Sequence, residues 1–112
     1  MSKGQRKSSN PWGFIQEDRL ADDSNNVVDL IHEGRLDEAE SSAQKLLLDY
    51  PEVHDGLERL AMVYEARGDK GRAIEMYQRA LEFTSNNDNY DEAFTSYYRE
   101  KIATLKRETA PA

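Results

Sequence analysis

Apolar residues recur at three- and four-residue intervals along most of the chain, and each recurrence predicts a helix. Leu20, Val27, Leu30 and Ile31 share one face of a helix over Leu20–Glu33. The second helix is expected over Asp37–Asp49. Asp37 and Glu40 stand at capping-box spacing there, and Leu36 holds the place of a hydrophobic staple. Tyr50-Pro51 stops it, because the residue before a proline disfavours the α region. The third helix, Glu52–Arg67, carries Leu57, Leu60, Ala61 and Tyr64 on one side. The fourth, Lys70–Phe83, carries Ala73, Ile74, Tyr77, Ala80 and Leu81. The fifth, Asn89–Arg107, has a stripe of Tyr90, Phe94, Tyr97, Tyr98, Ile102 and Leu105, with Asn89 and Glu92 again at capping-box spacing. No segment alternates with period two long enough to make a strand, so the fold class is all-α.

Sliding the chain by 34 residues superposes Gly34 on Gly68, Ala39 on Ala73, Leu30 on Tyr64 and Leu47 on Leu81. Each glycine closes one helical pattern, where a left-handed residue is the common C-terminal stop. An alanine follows five residues later, small enough to let two helices approach. A period of this length marks a repeat architecture, in which helix pairs bury a shared core by stacking.

The second repeat, residues 54–87, resembles the tetratricopeptide repeat (TPR) family. Leu57 stands at the usual tryptophan site, Leu60-Ala61 at the Leu-Gly pair, Tyr64 at the aromatic and Gly68 at the turn. Ala73, Tyr77 and Ala80 match the small-aromatic-small series of the second helix, while Ser85 replaces the usual proline. The first repeat, residues 20–53, matches at Gly34, Ala39 and Pro51 and departs at Asp23, Asn26, Ala43 and Leu46. The resemblance implies a short right-handed α-solenoid of antiparallel helix pairs, a TPR-like superhelix. Residues 20–107 would form the domain, with 89–107 as a capping helix, 1–19 as a flexible tail and 108–112 as a second tail.

In that family the first helix of each pair lines a concave groove. The resemblance therefore implies a partner-binding lining of Asn25, Val28, Ile31, His32, Asp55, Glu58, Arg59, Met62, Glu65, Asn89 and Ser96, flanked by Ala21, Ser24, Ala66, Glu92, Ala93 and Arg99. The lining mixes carboxylates with the apolar Val28, Ile31 and Met62, which favours a peptide or protein partner with basic or hydroxylated residues. One subgroup clamps C-terminal carboxylates with lysines and asparagines. Its positions fall here on Ser24, Val28, Arg59, Asn89 and Ala93, so no such clamp is expected. Within the tail, Trp12, Phe14 and Ile15 either fold back over the first helix pair or dock on another molecule.

Charge sharpens this picture. Residues 20–53 hold two basic and nine acidic side chains, which accounts for the whole net charge of -7. Such a segment repels a nucleic-acid backbone, and only Lys3, Arg6 and Lys7 could attract one, so nucleic acid is not an expected partner. Apolar residues are 38% and charged residues 33%, a balance that suits a thin, surface-rich core. The longest apolar run, Leu46-Leu47-Leu48, excludes a membrane-spanning helix, and the basic start has no apolar stretch behind it to act as a secretory signal. The absence of cysteine excludes disulfides and thiolate sites and fits a reducing, cytoplasmic setting.

Catalysis and metals find no support in the pattern. His32 and His54 lie far apart without a metal-ligand motif; His32 reads as a helix C-terminal histidine and His54 as solvated. The clustered acids lack the glycine-centred calcium loop. Gly68-Asp69-Lys70-Gly71 is a turn between helices without the Ser or Thr of a phosphate loop. The expectation is a non-catalytic adaptor or assembly factor without cofactor or metal. The alternative is a self-associating protein whose incomplete solenoid is finished by a second copy.

Overall fold

The computed structural model describes residues 11–109, with side chains from residue 19 onward. Their regular structure is all helical: α1 (Pro11–His32), α2 (Leu36–Asp49), α3 (Asp55–Arg67), α4 (Lys70–Ser85) and α5 (Glu92–Thr109). The first helix starts nine residues earlier than the apolar stripe announces. Proline is at home in a first helical turn, and the polar run Gln16–Arg19 consists largely of good helix formers. The expected tail of residues 1–19 thus overlaps α1 from Pro11. Residues 1–10 and the side chains of Trp12, Phe14 and Ile15 lie outside the described residues.

The two glycines close their helices identically. Gly34 and Gly68 have φ of 76° and 81°. Gly34 N–H donates to Ile31 O at 3.0 Å and Arg35 N–H to Leu30 O at 2.9 Å; Gly68 N–H donates to Glu65 O at 3.0 Å and Asp69 N–H to Tyr64 O at 2.9 Å. These paired bonds are the Schellman arrangement, which occupies carbonyls the helix would otherwise leave open.

The expected capping boxes do not form. α2 begins at Leu36, and its cap Arg35 makes no side-chain cap hydrogen bond. The carboxylates of Asp37 and Glu40 are taken instead by the Arg67 guanidinium, at 2.6 and 2.9 Å, which ties the start of α2 to the end of α3. At α5, Asp91 Oδ1 accepts the Ala93 N–H at 2.9 Å. Asn89 stays in the preceding turn, because the carboxylate next to the helix reaches its free N–H groups more directly.

Packing follows chain order: α1 on α2, α2 on α3, α3 on α4 and α4 on α5, with α1 also along α3. The radius of gyration is 16.1 Å. A compact domain of about 100 residues would have about 13 Å, so the molecule is elongated. Its core holds Val27, Leu46, Val63, Tyr77 and Tyr98 as the largest fully buried side chains. The 34-residue register carries into it: Val27 and Ala61, Ala39 and Ala73, Ala43 and Tyr77, Leu46 and Ala80 are all buried. The register breaks on one face. In α3, Gly56 lies against Leu47 of α2 and Val63, two turns on, is fully buried. The same positions in α1 are Asp22 and Asp29, both exposed.

Candidate functional site

α3 presents Asp55, Glu58, Arg59, Met62 and Glu65 on the side away from its buried stripe, and all five are half-buried. They lie at three- and four-residue spacing, so one helix face carries them together. Toward α1 the anchor is Ser24, a buried hydroxyl with 3% exposure. It donates to Asp55 Oδ2 at 2.9 Å and accepts from Arg59 Nε at 2.9 Å. Arg59 Nε also reaches the Ser24 carbonyl at 3.2 Å, and its Nη1 stands 3.6 Å from Glu58 and 3.3 Å from Met62 Sδ. The guanidinium therefore stitches α3 to α1.

Toward α5 the arrangement is wider. No Cα of α5 comes within 8 Å of α3, and long side chains cross the gap. Tyr98 Oη donates to Glu58 Oε1 at 2.9 Å and is also hydrogen-bonded to His54 Nδ1. Tyr77 Oη, from α4 beneath, donates to Glu65 Oε1 at 2.7 Å. Lys101 Nζ donates to Glu65 Oε2 at 2.8 Å and rides 5.7 Å above the Tyr77 ring. Burial, then the neighbouring carboxylate, pushes both phenols well above their ordinary range. They stay protonated at neutral pH and act as fixed donors rather than as acid–base groups. Burial is the largest influence on Lys101 and works against its charge, but the hydrogen bond it donates to Glu65 and the attraction of the surrounding acidic groups together outweigh it, and the lysine is raised.

His54 is not the solvated residue the sequence suggests. Its side chain is 11% exposed. Its ring meets Tyr90 and Phe94 edge-on, with centroids 5.0 and 4.7 Å away. Asp55 and Glu58 lie 3.7 and 3.5 Å from its nitrogens. It wedges the start of α3 against α5. The signal for it lay in the tyrosines of the fifth helix. A buried phenol needs a polar partner, and Tyr98 finds two.

The other expected lining residues are more scattered. Asn25 and His32 are exposed on α1, Val28 is half-buried, and Ile31 packs against the core margin. Asn89 is exposed in the turn before α5, and Ser96 is exposed on α5. Sequence reasoning missed the parts played by Tyr77, Tyr98 and Lys101. Among the described residues, no group of three or more His, Cys, Asp or Glu side chains could hold a metal ion. No described helix is long and apolar enough to cross a membrane. No family model, curated protein or solved structure matches the chain.

Proposed function

We propose that the chain is a non-catalytic protein-interaction module of the TPR type, a short right-handed solenoid that binds a segment of a partner protein along the face of α1, α3 and α5. The observation that carries this reading is the mutual fixation of Asp55, Glu58, Arg59 and Glu65 by Ser24, Tyr98, Tyr77 and Lys101. A face whose charged side chains are already ordered loses little entropy when a partner docks. Val28 and Met62 occupy equivalent places in the two repeats and leave half-buried apolar surface between those charges. The identical closures at Gly34 and Gly68 and the shared buried positions support the stacked-pair arrangement. Asp55, Glu58 and Glu65 outnumber Arg59 and Lys101, which favours a partner bearing basic residues. A cytoplasmic setting belongs to the same proposal and rests on the cysteine-free composition.

The test is a pull-down with wild type beside Met62→Glu and Val28→Glu. Both side chains are half-exposed, so circular dichroism should stay helical while partner capture is lost. Capture that survives both changes refutes the proposal. Arg59 is a poorer handle, since its removal also takes away its two bonds to Ser24, which help tie α3 to α1. Light scattering at several concentrations separates partner binding from completion of the solenoid by a second copy.

A further inference from the structure

We infer that the gap between α3 and α5 is a receptor for a lysine or arginine side chain of the partner, and that Lys101 fills it in the free protein; this rests on the partner-binding reading above. Glu65 is held at the floor by the Tyr77 phenol at 2.7 Å. The Tyr77 ring lies under the Lys101 ammonium at 5.7 Å. Tyr97, one helical turn before Lys101 on α5, is 43% exposed, and its ring centroid is 5.5 Å from that of Tyr98. A carboxylate with aromatic rings beside it is the chemistry that takes up an alkylammonium or a guanidinium.

Lys101 is the member of this group that can leave. Tyr98 is fully buried and tied to two partners. Lys101 is 29% exposed, bonds one carboxylate and sits on a flexible four-carbon stem. Exchange of one cation for another keeps Glu65 paired, so no half-buried charge is stranded. An acidic side chain entering the gap would meet Glu58 and Glu65 instead. Lys101 thus keeps the receptor satisfied until a partner's cation replaces it.

The measurement is fluorescence anisotropy with labelled oligolysine and oligoglutamate peptides of equal length. Lys106→Ala, on the same helix and exposed, controls for the loss of one positive charge. Lys101→Ala should tighten oligolysine binding about threefold or more beyond that control, as expected for a freed charged and aromatic cradle. Glu65→Gln added to Lys101→Ala should abolish the gain, and oligoglutamate should bind neither. If the alanine variant loses helicity, Lys101→Met keeps an apolar stem on the Tyr77 ring, frees Glu65 alone and should still bind oligolysine more tightly than the Lys106 control. Equal affinities of the Lys101 and Lys106 variants overturn the inference. The two readings fail separately, since the peptide measurement reports on Glu65 and Lys101, and the pull-down with Met62→Glu reports on the whole face.

Discussion

A Cβ built on Gly56 of α3 would stand 2.6 Å from the Cα of Leu47 in α2. Neither backbone can yield without moving its helix. Gly56→Ala should therefore cost about 1–3 kcal/mol from overpacking. The usual helical advantage of alanine offsets at most about 1 kcal/mol of it. Gly71 is the control, because its nearest neighbour, Asp69 Oδ1, would be 3.9 Å away. Gly71→Ala should raise stability by about 0.5–1 kcal/mol. Thermal melts of the two variants should shift in opposite directions.

Tyr98→Phe removes a hydroxyl that serves both His54 and Glu58. It leaves an imidazole nitrogen and a carboxylate oxygen without this partner in a half-buried place, at a cost of about 1–3 kcal/mol. Tyr97→Phe, one residue away and 43% exposed, should stay within about 0.5 kcal/mol of wild type. Urea denaturation of the two variants tests the contrast.

The raised phenols make the fold sensitive to alkali. In the unfolded chain Tyr77 and Tyr98 ionise near their ordinary 10.0, whereas in the native state burial and the adjacent carboxylates keep them protonated to higher pH. From pH 10.0 up to the native ionisation, the unfolded chain binds fewer protons than the native one, so stability falls as pH rises. The contribution is complete below pH 10.0 and declines above it by about 1.4 kcal/mol per pH unit for each phenol. Tyrosinate absorbance of these two residues should appear together with alkaline loss of helicity. Their ionisation within an intact fold would contradict the assignment.

Gly34 and Gly68 make the same paired closure with nearly the same φ. Alanine at either place must adopt a left-handed conformation, at about 1 kcal/mol each. The two positions share no hydrogen-bond partner, so the double variant should lose the sum to within about 0.5 kcal/mol. A chemical melt of the single and double variants checks both the equality and the additivity.

The helices were legible because their information is local. Glycine 34 and glycine 68, the proline at 51 and the three-to-four spacing of Leu57, Leu60, Ala61 and Tyr64 act within a turn or two of themselves. The caps were misread for the opposite reason. Asp37 and Glu40 carry the local capping pattern, but Arg67, 30 residues beyond Asp37, offers each carboxylate a charged partner. The candidate face divides the same way. Which side of α3 to consider was implied by the family resemblance alone, whereas its wiring through Ser24, His54, Tyr77, Tyr98 and Lys101 depends on which phenols and charges the folded chain brings opposite one another. No spacing rule encodes that.

Asp22 and Asp29 have a use for protein engineering. α3 meets α2 at Gly56 and buries Val63, and α1 differs at those two register positions by carrying exposed carboxylates. In the solenoid proposed above, the pair would serve as a polar end-plate, keeping the first helix wetted where its counterpart is sealed. Asp22→Gly with Asp29→Val would turn that end-plate into a coupling surface. A duplicate of α1 and α2 grafted ahead of the domain would then find on α1 a seat like the one α3 offers to α2, and helix pairs could be added from the front.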